Sequence, residues 1–302
     1  MTQTIFKQAT VALAMSSEDG EVVQYAALLN ELGICQRFHF IHVVTPPHER
    51  DDQTAQSIRQ RIEAIVSECF PGESAPNDLT YQVRFGVRID NLIDAAAQAH
   101  SDLIILGHRR LRSGRRSLAR RLAMLGPMAV WMVPEGSPIH ISKILAPTDF
   151  SEHAAESVAM AVTIARHAGL SCCRALHVAF DASTIRYDEH IAEWAGNEQR
   201  SMNEFLKRVD TQGIDIHPMF RESINVGQAI VRAAQDINAD LLVMNTRGRS
   251  RAAAILLGSA TSQTMTDCQI PILVIKNHGS HMTVFEALRE SRFWRQPDAK
   301  TN

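Results

Sequence analysis

The sequence predicts an α/β protein made of two tandem, open, mostly parallel five-stranded sheets with helices on both faces. Two observations support this prediction. The 302-residue chain repeats one unit of about 135 residues, and in each copy short apolar runs alternate with amphipathic segments. Continuous apolar strands between amphipathic helices are typical of parallel sheets that are covered on both faces.

Three pairs of matching segments carry the repeat. The clearest pair is SDLIILG, which begins at Ser101, and ADLLVMN, which begins at Ala239. The full set of matches is 91–97 with 229–235, 101–107 with 239–245, and 130–133 with 272–275. The chain therefore divides into predicted domains at residues 1–138 and 139–277, followed by a tail at 278–302.

Each element of the second copy has its own local signal. Ser151 suits the N-cap of a helix that is predicted to end near His167. The next helix carries apolar residues near helical spacing, at Ile191, Trp194, Ala195, Met202, Phe205, Leu206 and Val209. The predicted strands are 144–146, 175–178, 214–219, 240–244 and 271–275, and a third helix spans 227–237.

The composition excludes several classes of protein. With 33 acidic and 31 basic residues the formal net charge is -2, so no overall field attracts nucleic acid or a membrane. No apolar run approaches the roughly 20 residues of a membrane helix, and the first residues lack the pattern of a signal peptide. We therefore expect a cytoplasmic protein that binds no membrane and no specific nucleic acid.

The five cysteines, an odd number without a CxxC pattern, indicate neither a disulfide framework nor a metal site. Cys172, Cys173 and His177 are a conceivable zinc set, but adjacent residues of a strand face opposite ways. The sequence thus predicts reduced thiols and no metal ion.

The expected ligand site lies after strands one and four of the second copy. In parallel sheets of this kind, ligands bind beyond the carboxyl ends of the strands, where the winding reverses. Strand one runs into the residues APTDFS, which place Asp149 just before a helix. A helix cap or a turn explains such an aspartate as well as a ligand does.

A glycine-containing loop follows strand four. Gly248 and Gly258 let backbone N–H groups approach an anion, since neither carries a Cβ. Ser259 and Thr261 add hydroxyl donors at the start of the last helix, whose first N–H groups favour phosphate. A helix end contributes about 0.3–1 kcal/mol toward an anion, whereas micromolar binding needs about 8 kcal/mol. The loop and an apolar pocket must therefore supply most of the affinity.

Together these motifs resemble the universal stress protein family. Its nucleotide signature is glycine, two residues, glycine, nine residues, glycine, then serine or threonine. Here the signature positions hold Asn245, Gly248, Gly258 and Ser259. The APTDFS opening and the closing PILVIK belong to the same pattern. The resemblance covers about 141–276 and, more weakly, about 10–134, and it implies a Rossmann-like, adenine nucleotide alpha-hydrolase-like fold.

The resemblance also implies roles for individual residues. The adenine would be held by Asp149, Ala146, Pro147 and Thr148. Val178 would pack against the base, and Met244 would line the pocket. Ribose and phosphates would be cradled by Gly248, Gly258, Ser259, Ala260 and Thr261. Arg247 and Arg249 would screen phosphate charge, although solvated loop arginines are the commoner case. The implied ligand is ATP, ADP or AMP, with or without Mg²⁺.

One position departs from the family signature, because Asn245 replaces its first glycine. Asparagine tolerates left-handed backbone better than most residues, so the turn is expected to survive. Its side chain would lie near the ribose. We therefore expect nucleotide binding, with an affinity and a choice of nucleotide that the sequence leaves open.

The first copy has lost most of the signature. Ser16 stands where Asp149 is expected to align, and Arg110 replaces the second glycine although Gly107 survives. Gly126 comes too late to form the glycine–serine pair. The sequence therefore predicts no adenine nucleotide in this half and one nucleotide pocket per chain.

A run of arginines without any acidic residue fills the corresponding loop of the first copy. Its members are Arg109, Arg110, Arg112, Arg115, Arg116, Arg120 and Arg121. Such a run is usually a solvated face. The alternative is a site for an anion or an acidic partner, because seven guanidinium groups repel one another unless they are paired.

Three classes of function stay open. The preferred one is a nucleotide-binding stress-response protein that signals by occupancy, with little or no turnover. The second is a slow ATP-hydrolysing enzyme, although the chain has no P-loop motif and no His, Asp or Glu between Asn245 and Met265. The third is an interaction module that acts through the arginine run or the tail.

The resemblance bears on assembly as well. Single-domain members of the family commonly dimerise through strand five, which implies that 129–133 and 271–275 pair within this chain and that the two sheets are packed as an intramolecular pseudo-dimer. A further homodimer is an additional expectation. In the tail, a short amphipathic helix docked on the domain is preferred to a partner motif, and its apolar residues are Val284, Phe285, Leu288, Phe293 and Trp294.

Overall fold

The fold is described from a computed structural model of the chain. The structure describes residues 4–45, 51–70, 78–108, 117–179, 188–246 and 257–276. The predicted tail helix lies outside these residues, as do Arg247, Gly248 and Arg249 of the loop after strand four. Of the arginine run, the described residues include Arg120 and Arg121.

Strands and helices alternate within each half of the described chain. The first half contains β1 (Ala9–Leu13), α1 (Asp19–Glu31), β2 (Arg37–Val44), α2 (Asp52–Cys69), β3 (Asp78–Phe85), α3 (Arg88–Gln98), β4 (Leu103–His108), α4 (Leu118–Leu125) and β5 (Ala129–Pro134). The second half contains β6 (Ile144–Thr148), α5 (Glu152–His167), β7 (Cys172–Ala179), α6 (Asp188–Leu206), β8 (Asp215–Glu222), α7 (Val226–Asp236), β9 (Leu241–Asn245), α8 (Ser259–Asp267) and β10 (Ile272–Ile275). The predicted domain boundary falls between β5 and β6, and its position stays a prediction.

The two halves share one sheet. Its ten strands lie in the order β3-β2-β1-β4-β5-β10-β9-β6-β7-β8, and neighbouring strands are parallel except for the antiparallel pair β5 and β10. In that pair, Trp131 lies opposite Leu273. The prediction that the two fifth strands pair within one chain is therefore confirmed, and the mostly parallel α/β fold is confirmed with it.

Both faces of this sheet are covered by helices. Successive residues of β4 alternate between two buried clusters: Leu103 and Ile105 belong to one, Ile104 and Leu106 to the other. The first cluster also contains side chains from α1, α2, α5 and α6, whereas the second contains side chains from α3, α4, α7 and α8. This burial on both faces explains why the strands are continuous apolar runs rather than alternating ones.

Strand register establishes which positions of the two halves correspond. Leu13 pairs with His42 across β1 and β2, and Thr148 pairs with His177 across β6 and β7. The residue after each strand is therefore Ala14 in the first half and Asp149 in the second. The expectation that Ser16 aligns with Asp149 is wrong by two residues, because strand one of the second half continues two residues beyond the predicted apolar run.

Helix starts follow the predicted chemistry. Ser151 is the N-cap of α5, and its Oγ accepts a hydrogen bond from the N–H of Ala154 at 3.1 Å. Asp51 caps α2 in the same way and accepts from the N–H groups of Gln53 and Thr54. Both contacts satisfy amides that have no partner inside a helix.

The described residues have two further general properties. None of their helices is both long enough and apolar enough to cross a membrane. They also contain no group of three or more His, Cys, Asp or Glu side chains placed to hold a metal ion. Along β7, Cys173 is buried and Cys172 is half-buried, as expected for neighbours on opposite faces.

A buried histidine on β2 makes the stability of this fold depend on pH. His39 is 9% exposed, and its ring nitrogens lie 2.8 Å from Thr80 Oγ1 and 3.2 Å from Gln82 Oε1. Burial lowers the pKa of His39 despite the hydrogen bond to Gln82, and the positive charge of Arg84 lowers it further. The folded protein therefore keeps this ring neutral at a pH where an exposed histidine is protonated.

We expect the free energy of unfolding to fall as the pH is lowered from about 7 to about 5. Histidine in the unfolded chain takes up a proton near pH 6.5, whereas buried His39 does so only at lower pH, so acid favours the unfolded chain. Urea denaturation at stepped pH measures this slope, and His39→Gln should reduce it. The matched change His217→Gln, at an exposed position of β8, should leave the slope as it is. Identical slopes in all three proteins would contradict the prediction.

Candidate functional site

The turn after β6 is a hydrogen-bonded unit centred on Asp149. The carboxylate Oδ1 of Asp149 accepts from the N–H of Ser151 at 3.1 Å and from its hydroxyl at 2.5 Å. Thr148 Oγ1 accepts from the N–H of Phe150, which has a φ of 65°. Asp149 thus shapes the turn, as the capping explanation requires. That role fixes the carboxylate at the carboxyl end of β6, where a ligand would approach.

Asn245 is the last residue of β9 and is 6% exposed. Its side-chain Nδ2 donates to the carbonyl of His153 in the first turn of α5 at 3.3 Å. Its backbone pairs with Ile275 as ordinary strand and has no positive φ. The expectation that Asn245 adopts a left-handed backbone conformation is therefore wrong. The substitution instead ties the end of β9 to the start of α5.

The N-terminus of α8 lies against the end of β9. Thr261 Oγ1 donates to the Asn245 carbonyl at 2.9 Å, and the N–H of Gly258 donates to the Thr246 carbonyl at 2.8 Å. Gly258 is the N-cap, and no described side chain caps the first turn. Ser259 and Ala260, the first residues of this turn, follow it directly. The first amides of α8 are therefore held at the edge where β6 and β9 end.

The remaining described candidates lie along the same edge of the sheet. β6 pairs with β7 on one side and with β9 on the other, all parallel, so their carboxyl ends point the same way. Val178 follows His177, the partner of Thr148, and is 8% exposed. Met244 is 5% exposed at the end of β9. The candidates brought to this edge are Ala146, Pro147, Thr148, Asp149, Val178, Met244, Asn245, Gly258, Ser259, Ala260 and Thr261. Their roles toward a ligand stay predictions.

The structure adds a residue that sequence reasoning missed as a site component. His177 Nδ1 donates to the Thr148 carbonyl at 2.9 Å, and its ring stacks on Phe150 with centroids 4.1 Å apart. Its Nε2 lies 3.2 Å from Glu198 Oε2, within ion-pair distance but not aligned as a hydrogen bond. Arg208 donates to the Phe150 carbonyl at 3.0 Å. These contacts stabilise Thr148 and Phe150, the residues on either side of Asp149.

The repeat contained the signal for this histidine. The runs IHVV from Ile41 and LHVA from Leu176 occupy the same place in the two copies. In the first half, His42 Nδ1 lies 2.9 Å from the Leu13 carbonyl, the same contact that His177 makes with Thr148. Each half therefore has a histidine at the same position of strand two, and this histidine forms a hydrogen bond with the last carbonyl of strand one. The contact stabilises the end of strand one in both halves.

The first half differs at the start of the helix after strand four, where the hydroxyl stands on the N-cap and not on the residue that follows it. The N-cap of α4 is Ser117, followed by Leu118, whereas α8 has Gly258 followed by Ser259. Gly126 follows the C-terminus of α4 and so does not lie at the start of that helix.

The geometry defines a tandem protein of the Rossmann-like α/β class, and comparisons with known proteins show what its second half resembles. The Universal stress protein family model matches residues 140–276 of this chain. A universal stress protein of Methanocaldococcus jannaschii is 29% identical over 140 residues, which cover 44% of this chain and 81% of the relative.

Solved structures share the fold over both halves of the chain. A universal stress protein from Archaeoglobus fulgidus superposes with a TM-score of 0.68 and 15% identity, covering 92% of this chain and 98% of that one. A functionally unknown protein from Pseudomonas aeruginosa superposes with a TM-score of 0.65 and 15% identity, covering 90% and 92%. These likenesses establish the two-half, ten-stranded architecture.

Proposed function

We propose that the chain binds one adenine nucleotide, ATP in preference to ADP or AMP, in its C-terminal half. It then acts by occupancy as a stress-response regulator or signalling protein, with little or no turnover. The observation that supports this proposal is the meeting of Asp149, the end of β9 and the first amides of α8 at one edge of the sheet. A base and a phosphate chain need these two kinds of group, an acceptor and a set of N–H donors.

The proposed pocket has an adenine end and a phosphate end. Asp149 accepts from the exocyclic amine of the base, and Val178 and Met244 pack on the ring. At the other end, Ser259 and Thr261 lie in the first turn of α8 with Gly258 before them. From the sequence, Arg247 and Gly248 complete the phosphate loop, and Mg²⁺ accompanies the phosphates of ATP.

The steric situation of Gly258 favours a ligand over a packing role. A Cβ at this position would meet the Thr246 carbonyl at 3.5 Å and Thr261 Oγ1 at 3.8 Å, which are ordinary contacts. Its φ of -56° is also open to any residue. The fold itself therefore does not require glycine here. Close approach of a phosphate to the backbone does require it.

Efficient hydrolysis has little support in this site. General-base catalysis needs a proton acceptor within hydrogen-bond reach of the attacking water. The segment from Asn245 to Met265, which carries the phosphate end, contains no His, Asp or Glu. We therefore propose a switch, with slow ATP hydrolysis as the alternative that a phosphate-release measurement tests directly.

Isothermal titration of wild-type protein with ATP, ADP and AMP tests the proposal. Asp149→Ala should weaken ATP binding by about tenfold or more, because the base loses a charged acceptor worth about 1.5–3 kcal/mol. Titration should give one site per chain. Two sites per chain, or unchanged affinity in Asp149→Ala, would overturn the proposed location.

A second aspartate separates this role from simple capping. Asp51 makes the same kind of turn contact as Asp149, but at the start of α2 in the first half. Asp51→Ala should lower the free energy of unfolding, because α2 loses its N-cap, and it should leave ATP affinity unchanged. If Asp149→Ala behaves like Asp51→Ala in both measurements, the capping explanation is sufficient. Phosphate release during the titration would favour the enzyme alternative.

A further inference from the structure

The first half contains an open cavity at the position that corresponds to the proposed nucleotide site. Its volume is about 380 Å³, within the usual range for small-molecule sites. It lies beyond the ends of β1 and β4 and is bordered by α1, α3 and α4. Apolar side chains form much of its wall, among them Leu13, Val43, Leu106 and Val133. The loss of the glycine signature has therefore not closed this pocket.

The apolar part of this cavity, its apolar slot, has counterparts in the second half of the chain. By strand register, Val43 corresponds to Val178, because each follows the histidine that pairs with the end of strand one. Leu106 likewise corresponds to Met244, because each lies three residues after the strand-four residue that pairs with the start of strand one, Leu103 with Ala9 and Leu241 with Ile144. Both residues line the cavity. A flat ring of the size of a base thus has apolar contacts here, as in the second half.

The polar groups around the slot are exchanged. Ala14 replaces the Asp149 carboxylate, and Leu118 stands where the helix start of the second half has Ser259. Asp19, which is 2% exposed, accepts from the N–H groups of Ala14 at 2.9 Å and Ser16 at 3.0 Å. The loop amides that could bind an anion are therefore already occupied by a carboxylate of the chain.

Among the described residues, the mouth of the cavity carries mostly negative side chains. Glu21 and Glu135 line it together with Asp19, and Glu21 accepts from the N–H of Gly136 at 2.8 Å. Arg88 is the opposing positive side chain among the described lining residues. Burial lowers the pKa of His108, which favours its neutral form. Bringing a phosphate near these carboxylates would cost free energy, because like charges disfavour each other.

We infer that this cavity is a second ligand site, for a compact, uncharged molecule with an aromatic ring and without phosphate or carboxylate. The apolar slot supplies the affinity, and the carboxylates exclude anions. The site is independent of nucleotide binding in the second half. The protein would therefore carry two pockets of one origin with different ligand classes.

Methyl NMR with three probes that share one ring tests this inference. The probes are indole, which is neutral, tryptamine, which is cationic, and indole-3-acetate, which is anionic. Leucine and valine methyl groups report on location, since Val43 and Leu106 belong to the first cavity and Val178 to the second site. We expect indole to shift the Val43 and Leu106 methyls in a saturable way. Indole-3-acetate should bind there at least about tenfold more weakly, because of the carboxylates at the mouth.

A blocking variant and a matched control complete the test. Ala14 is exposed at the rim, so Ala14→Phe fills the slot without overpacking the core, and it should weaken indole binding by at least about tenfold. Ala97→Phe makes the same change at an exposed position of α3 that does not line the cavity, and it should leave binding unchanged. Equal or tighter binding of indole-3-acetate, tryptamine bound more than about tenfold tighter than indole, unchanged binding in Ala14→Phe, or shifts confined to Val178 would each overturn the inference.

Discussion

Gly258→Val is expected to weaken ATP binding by about 100-fold while leaving the protein folded. That loss corresponds to about 2.7 kcal/mol of binding free energy. The added methyl groups occupy the space that a phosphate needs at the start of α8, where no described side chain caps the amides. Isothermal titration measures the loss. Gly258→Ala, which adds only a Cβ, should give a smaller loss of about tenfold.

Gly258→Val should have only a small effect on the stability of the protein. The backbone of Gly258 has φ -56° and ψ 145°, which valine adopts readily. The nearest atom to a new Cβ is the Thr246 carbonyl at 3.5 Å. The free energy of unfolding should therefore change by about 1 kcal/mol, mainly because valine is a poorer N-cap than glycine. A loss of affinity that is accompanied by unfolding would show that Gly258 is needed for the fold instead.

Ser117→Val is the matched control. Ser117 is the N-cap of α4 and so occupies the place of Gly258 in the first half. The change alters the same helix position in the same kind of element, but far from the proposed nucleotide. ATP affinity should be unchanged in Ser117→Val. A comparable loss in both variants would place the nucleotide in the first half, or in both halves, and would contradict the asymmetry proposed here.

Patterns in the sequence were sufficient for the architecture because burial determines them. Strands that are covered on both faces must be apolar throughout, so β4 and β9 could be recognised and matched to each other. The N-cap at Ser151 followed from hydroxyl chemistry alone. The pairing of β5 with β10 came from the family resemblance, and it is confirmed by the antiparallel register through Trp131 and Leu273.

Apolar patterns could not predict where the strands end, and therefore which residues of the two halves correspond. The end of β6 includes Pro147 and Thr148, which a hydrophobic run does not mark, so the alignment of Ser16 with Asp149 was displaced. The turn residues Met15 and Phe150 both have positive φ, 58° and 65°, although neither is the glycine that usually signals this conformation. The hydrogen bond from Asn245 to His153 could not be predicted either, because it joins positions 92 residues apart.

The first half has lost the glycine signature but has kept the cavity at the corresponding place. A signature records the groups that touch one ligand, whereas the cavity follows from where β1 and β4 end. Ala14, Leu118 and Asp19 changed the chemistry of that place without filling it. A prediction that no adenine nucleotide binds there is compatible with a different ligand at the same site.

Trp131→Ala is expected to lower the free energy of unfolding by about 3–5 kcal/mol, the usual cost of removing a large buried aromatic side chain. Trp131 is fully buried in β5 directly opposite Leu273, and its ring lies 5.8 Å from that of Tyr25. The cavity would therefore open at the seam between the halves. Urea denaturation followed by far-ultraviolet circular dichroism measures the change without depending on tryptophan fluorescence.

Trp131→Phe distinguishes packing at the seam from the indole N–H. Phenylalanine keeps most of the apolar volume and a ring beside Tyr25, and it removes a buried Nε1 that has no aligned partner among the described residues. Deleting such a donor offsets part of the lost contact, so the cost should stay below about 1.5 kcal/mol. If Trp131→Ala costs less than about 1 kcal/mol, the seam contributes little and the halves are stable separately. A phenylalanine variant as unstable as the alanine one would instead show that the N–H holds a partner across the seam, because packing alone cannot make the two changes equal.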